Sequence, residues 1–294
     1  MGVLNSLRLA GHDEELVFVD AGLRPDQRRR LAEHATVVAS EHALPAYALK
    51  LSHGSTPAAE ARVLLDADVL VLQPLTRVIE LARDGKLVVF ADPVTERFYA
   101  EWSGLLGLPP MRKQPYVNAG VVVVGEELGR RLLPLVIAGT AALDIARSQH
   151  GRGSVEEPFY YYDQDVLNAV LASEARPDDL VVLEHRLAPH PPFAGLELVD
   201  RRALHCRYAD GTEPLLLHHV LAKPWLALTR RSIYEVLLRR VLFGTDVPLR
   251  LDPAELPLRL REGLLGSLDR ARADLAARAR EQRGRLGIRA RLRR

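Results

Sequence analysis

The chain has 294 residues, enough for one large α/β domain or two smaller ones, and its 48% apolar content allows a sizeable core. A single cysteine, Cys206, excludes an intrachain disulfide framework and any cysteine-built zinc site. The net charge of +2 conceals an asymmetry: from Arg259 onward, twelve arginines face only Glu262, Asp269, Asp274 and Glu281, a local +8 beside a body at −6. No apolar run reaches the ~18 residues needed to span a bilayer. The longest, Leu132 to Leu143, is interrupted by Pro134 and Gly139. No basic start leads into an apolar segment, so the cytoplasm is the expected location.

In chain order, Val3 to Leu9 reads as an amphipathic helix ended by Gly11, and Leu16 to Asp20 as a strand. Pro25 opens a helix running to about His34, followed by a short strand at Thr36 to Ala39. Tyr47 to Leu51 and Pro57 to Arg62 are expected to be helical. They lead into Val63-Leu-Leu-Asp66-Ala-Asp68-Val-Leu-Val-Leu72, where eight of ten residues are apolar, the pattern of a strand buried on both faces. Thr76 to Arg83 predicts a helix closed by Gly85, and Leu87 to Ala91 another buried strand. Residues 93–115 read as a loop-rich insertion and a lid. Val117 to Val124 is a strand, Leu128 to about Ser148 a helix, and Asp163 starts a helix through Leu171. Leu180 to Leu183 and Leu215 to Leu217 are strands, with a Pro- and His-rich stretch between them, and about Arg230 to Leu242 is helical. Such alternation implies strand–helix crossovers and a largely parallel sheet.

Four short stretches set polar residues against apolar strands or helix starts. In Asp66-Ala-Asp68, charge inside an apolar run costs several kcal/mol unless paired or bound to metal. The strand is therefore expected to end near Asp66 and to deliver both carboxylates to the sheet edge, where hard oxygen ligands suit Mg²⁺ or Mn²⁺. The plainer alternative has Asp66 capping a turn and Asp68 solvated. The others are Asn118-Ala-Gly120, Asp163-Gln164-Asp165-Val-Leu-Asn168 and His218-His219-Val-Leu-Ala-Lys223-Pro-Trp225. Each has an ordinary reading too: a turn asparagine, a helix N-cap at Asp163, a strand end at the histidines, a core anchor at Trp225.

The four motifs in this order resemble glycosyltransferase family 8 over roughly residues 3 to 226. The resemblance implies a GT-A fold, α/β with a mixed, mostly parallel sheet and flanking helices, over 1–228; the remainder, 229–294, reads from its own pattern as a C-terminal helical extension. It implies transfer of a hexose from a nucleotide-sugar donor, a UDP-sugar, with Mn²⁺ (or Mg²⁺) and retention of configuration. By the resemblance Asp66, Asp68 and one of His218 and His219 are metal ligands. Lys223 contacts the donor diphosphate, and Lys50 lies near the donor sugar. Asn118, with Gly120 of its motif, and Asp165 belong to substrate binding, and Asp163 and Gln164 flank the anomeric carbon. The acceptor, a glycan, a lipid-linked glycan or a protein, is left to the variable stretches 93–115 and 185–212.

Two departures from the family pattern stand out. The family has a nucleotide-binding strand ahead of the helix matched by Leu4 to Leu9, which the sequence lacks, so the domain is expected to be N-terminally incomplete and that helix to lack a packing partner. The family spacing His-x-x-Gly-x-x-Lys-Pro-Trp is shortened here; His218, directly after Leu215 to Leu217, is the favoured ligand. The alternatives are a glycosyltransferase-like fold kept as a binding module, and a phosphatase built on Asp-x-Asp, which leaves the three later motifs unexplained.

In the tail, Leu264, Leu268, Ala271, Leu275, Ala279 and Leu286 recur at three, four or seven residues, and arginines cover the other faces. This pattern suits peripheral contact with an anionic membrane or, alternatively, a solvated helix. Nucleic acid is not expected, because the tail has no aromatic residue to stack on bases.

Overall fold

The computed structural model describes the chain except for residues 41–43, 47, 54–58, 221–231, 253, 255–262, 270, 273–274 and 276–294. The first half holds α1 (Gly2–Leu9), β1 (Val17–Asp20), α2 (Pro25–Ala32), β2 (Thr36–Ala39), a 3₁₀ turn at Leu49–His53, β3 (Ala61–Leu65), β4 (Val69–Val71), α3 (Thr76–Arg83), β5 (Leu87–Ala91), α4 (Trp102–Leu106) and β6 (Val117–Gly125). The second half holds α5 (Glu126–Ala142), α6 (Asp163–Glu174), β7 (Leu180–Leu183), β8 (Leu196–Asp200), β9 (His205–Tyr208), β10 (Leu216–His218) and α7 (Ile233–Phe243). These elements fall into two compact units, one of residues 14–67 and 74–188, the other of 1–13, 68–73 and 189–294.

The first unit is built on a sheet of order β3-β6-β5-β7. All nine residues of β6 are buried, which requires cover on both faces. Helices α3, α5 and α6 pack on it, and Val122, Val124, Leu132, Val136, Val166 and Val170 make the core between them. Gly85, at φ +83°, ends α3 as its position after the last apolar turn requires. Between β5 and β6 the register slips, so that Val89 faces Val122 while Phe90 faces Asn118. This bulge falls on Asn118-Ala119-Gly120, and bulges commonly re-aim side chains beside binding sites.

In the second unit β4 pairs antiparallel with β10, and β8 with β9. Helix α1 packs on β4 and on α7. Ser6 Oγ accepts the Val71 N–H at 3.0 Å, and the Asn5 amide donates to the Val241 and Leu249 carbonyls at 2.7 and 2.9 Å. Leu4, Asn5 and Ser6 have no exposed surface, so the expectation that this helix lacks a partner is overturned: its apolar and small polar face is spent on β4 and α7. Helix α7, which the sequence places in a C-terminal extension, belongs to this unit.

Several other expectations change. The strand from Val63 ends just before Asp66, as expected, but the rest of the run to Leu72 forms a second strand in another sheet, because Asp66-Ala67-Asp68 turns the chain rather than sitting in a ladder. Ala61 and Arg62 are strand, not helix. Of the strand pairings among the described residues, β1–β2 and β5–β7 are parallel, while β3–β6, β5–β6, β4–β10 and β8–β9 are antiparallel. The sheet is mixed, as expected, but not mostly parallel, since β6 runs against both its neighbours. The helix expected to reach Ser148 stops at Ala142, and the stretch between β7 and β10 contains the β8–β9 ladder. The 93–115 insertion is strapped down: Trp102 is 1% exposed and its indole N–H donates to the Pro158 carbonyl, while the Arg112 N–H donates to Ala172.

Candidate functional site

Asp66 follows β3, its N–H still bonded to the Gly120 carbonyl of β6 at 2.9 Å, and Asp68 leads into β4. The strand paired with β4 is β10, whose last residue, His218, faces Val69. His218 Nε2 thereby comes 3.4 Å from Asp68 Oδ1 within the second unit. That carboxylate and imidazole, with the Asp66 carboxylate two residues earlier in the chain, are a donor set whose chemistry fits a divalent cation such as Mn²⁺ or Mg²⁺. The ring of His190 packs edge-on against His218, with centroids 5.1 Å apart, and fixes its plane.

His219 turns the other way. Adjacent residues of an extended chain point to opposite faces. Its ring lies against Tyr234 and Phe193, at 4.7 and 6.4 Å, while its backbone N–H donates to the Asp68 carbonyl at 3.2 Å. His218→Ala is expected to weaken metal binding at least ~10-fold, a loss on the scale produced when the support of a metal site is removed, and His219→Ala to alter it less than about threefold. Calorimetric Mn²⁺ titration of the two variants checks the ranking, and the reverse order refutes it.

Lys50 sits in the 3₁₀ turn, its ammonium 2.6 Å from Asp66 Oδ1 and 3.4 Å from Asp163 Oδ2. Burial works against the charge on Lys50, but the two carboxylates outweigh it and raise its pKa above the usual 10.5. For Asp163 burial is the largest influence and raises the pKa, with Lys50 pulling it down and Asp66 pushing it up.

Gln164 takes the next direction round α6. Its Oε1 accepts from Asn118 Nδ2 and the Ala119 N–H at 2.9 and 3.3 Å, and its Nε2 donates to Asp92 Oδ2 at 3.2 Å. Asn118 Nδ2 also reaches Asp92 Oδ2 at 3.1 Å, while its Oδ1 accepts the Gly120 N–H at 2.8 Å. Asn168 clamps the base of this network by bonding both the N–H and the carbonyl of Val117, each at 2.8 Å. Asp92 escapes the motif reading, although it repeats the signal of Asp66, a carboxylate just past an apolar strand.

Asp165, expected among the substrate-binding groups, is fully buried and serves as an anchor instead. Its oxygens accept from Arg97 Nε and Nη2 at 2.6 and 2.9 Å, from Tyr116 Oη at 2.6 Å and from the Tyr161 N–H at 2.7 Å, which fills both. Burial, with Asp165 beside it, raises the Tyr116 pKa well above the ordinary phenol value, so the hydroxyl stays a donor. Arg97 and Tyr116 carry no motif signal. Lys223 and Trp225 lie outside the described residues.

The fold that carries these groups is that of GT-A glycosyltransferases. The bifunctional glycosyltransferase WbbM superposes with a TM-score of 0.53 at 14% identity, over 84% of this chain and 47% of that one. The galactosyltransferase LgtC, solved with donor and acceptor sugar analogues, gives a TM-score of 0.49 at 18% identity over 83% of this chain and 90% of LgtC. Mouse xyloside xylosyltransferase 1 gives 0.42 at 17% identity over 74% and 89%. No family model matches the sequence, and no curated protein sequence does. The assignment of the fold rests on WbbM.

Proposed function

We propose that the protein is a retaining hexosyltransferase of the family 8 type, acting in the cytoplasm on a UDP-sugar with Mn²⁺. The observation that carries this reading is the pairing of His218 with Asp68 at 3.4 Å, two residues after Asp66, in a chain of this fold. Those three residues would hold the cation, which when bound neutralises the charge that a departing nucleoside diphosphate develops. Asn118, Gln164 and Asp92 offer amide and carboxylate partners for sugar hydroxyls. In this reading Asp163 and Gln164 steady a cationic anomeric centre on one face, the requirement of a retaining transfer. Lys223 is assigned to the diphosphate and Gly120 to the close backbone approach beside Asn118.

One observation favours the second reading, a binding module without transfer. Lys50 lies 2.6 Å from Asp66, so a resident cation already neutralises one of the proposed metal ligands. Thermal shift with UDP-glucose and UDP-galactose, with and without Mn²⁺, followed by assay of UDP release, separates the two. The transferase reading expects a metal-dependent shift and release of UDP; a shift without release supports the module.

We also assign the basic tail to the surface of an anionic membrane. Leu264, Leu268 and Leu275 are 76, 57 and 67% exposed, and each arginine near such a surface contributes on the order of 1 kcal/mol. Among the described residues no helix is long and apolar enough to cross a membrane. The full chain is expected to sediment with phosphatidylglycerol vesicles at low salt and to lose this on truncation after Pro257. Equal sedimentation of both forms removes the tail from the account.

A further inference from the structure

Three consecutive residues open α6, and each meets a different set of partners. Asp163 faces Lys50 at 3.4 Å, Gln164 faces Asn118 and Asp92 at 2.9 and 3.2 Å, and Asp165 faces Arg97 and Tyr116 at 2.6 Å each. An α-helix turns about 100° per residue, so these side chains leave the first turn in three directions and any rotation of that turn displaces all three. The Asp165 set is the most deeply buried, with side-chain exposure of 5% for Arg97 and 0% for Asp165.

Arg97 places all its donors there. Nε and Nη2 grip the two oxygens of Asp165, and Nη2 also reaches the Glu157 carbonyl at 2.7 Å. Nη1 donates to the Val155 carbonyl at 2.8 Å and to Tyr99 Oη at 3.2 Å. The rings of Tyr99 and Tyr161 lie 4.8 and 4.9 Å from the guanidinium carbon. The backbone reverses just ahead of Asp163 through Tyr162, a non-glycine residue at φ +52°. Such a conformation persists only where its surroundings over-determine it. Here the surroundings are the bonds of Arg97 to the segment before α6 and the Tyr161 N–H on Asp165.

We propose that Arg97 is a positioning residue: by clamping Asp165 and the backbone of residues 155–161 it sets the rotation of the first turn of α6, and with it the placement of Asp163 and Gln164. This rests on the reading of Asp163 and Gln164 as the pair beside the reacting carbon. A lysine cannot replace Arg97, because its point-like ammonium lacks the fork that spans both carboxylate oxygens and the carbonyls.

The test is Arg97→Lys, with Tyr116→Phe as a milder variant that removes one hydrogen bond from Asp165. A misplacement of about 1 Å costs up to ~100-fold, so kcat for Mn²⁺-dependent hydrolysis of UDP-galactose is expected to fall about 30-fold in Arg97→Lys, with KM within about twofold. Amide exchange over residues 160–166 is expected to quicken about 10-fold while the β5–β6 amides keep their rates. Tyr116→Phe moves both readouts the same way by less, and decides the matter if Arg97→Lys does not fold. In the double variant Arg97→Lys/Asp165→Asn, kcat is expected to be no lower than in the worse single variant, since both act through one contact. Unchanged exchange over 160–166, or a raised KM with kcat intact, overturns the proposal. A wild-type chain that hydrolyses no nucleotide sugar sinks the transferase reading, and exchange still judges the clamp.

Discussion

Asp68→Asn is expected to abolish metal-dependent donor binding while leaving the fold intact. The substitution keeps the shape of the side chain and removes the charge that faces His218 Nε2 at 3.4 Å. Loss of outer support to a metal ligand already costs 10–100-fold, so loss of a ligand charge should weaken Mn²⁺-dependent UDP-sugar binding by at least ~100-fold. The melting temperature should move by no more than about 2 °C, because Asp68 is not the residue that neutralises Lys50. Asp66→Asn should differ. Asp66 lies 2.6 Å from the buried Lys50 ammonium, and half-breaking a buried ion pair strands charge. Asp66 is 25% exposed and Asp163 remains beside Lys50, so the cost is about 1–3 kcal/mol rather than the full penalty. Isothermal titration with UDP-glucose and urea unfolding of the two variants separate these effects. Asp68→Asn binding as tightly as the parent in Mn²⁺ would remove the metal site.

The contrast between those aspartates could not be read from Asp66-Ala67-Asp68 alone. The apolar run, with its two carboxylates, announces a buried strand that ends near Asp66, but not that β4 begins at Val69 in another sheet. Three-residue strands such as β4 carry too little pattern to stand apart from a neighbour of the same composition. The β-branched runs of β5 and β6 were legible because burial on both faces demands continuous apolar residues. Sheet direction was not, since alternation of strands and helices is equally compatible with β6 running against β5.

At the site, Asp66, Asp68 and His218 were legible as residues whose chemistry suits a cation, and strand alternation already favoured His218 over His219. The anchoring role of Asp165 was hidden, because its partners Arg97 and Tyr116 lie 68 and 49 residues away in a stretch without apolar period. Asp92 was visible in principle. It follows a buried strand just as Asp66 does, and only its position beside Asn118 and Gln164 gives that pattern a meaning.

Lys50→Met should destabilise the chain by about 3 kcal/mol at pH 7, the scale of breaking a buried pair from one side. It leaves Asp66 and Asp163 as two carboxylates with their shared cation gone. In the parent, Lys50 has a pKa raised above 10.5, so its contribution is complete at neutral pH and is lost only as pH rises through that higher folded value. In the variant the pH dependence passes to Asp163. Burial already raises its pKa, and Lys50, which pulls it down, is absent, so the folded value climbs further. Between the unfolded carboxyl value near 3.8 and that raised folded value, the folded chain holds a proton that the unfolded chain lacks. Stability then increases as pH falls through the window, because proton uptake favours the state that binds more protons. The gap between parent and variant should therefore narrow from pH 7 to pH 5, and urea unfolding at the two values measures it. A gap that is constant or wider at pH 5 would mean that Lys50 does not govern the charge on Asp163.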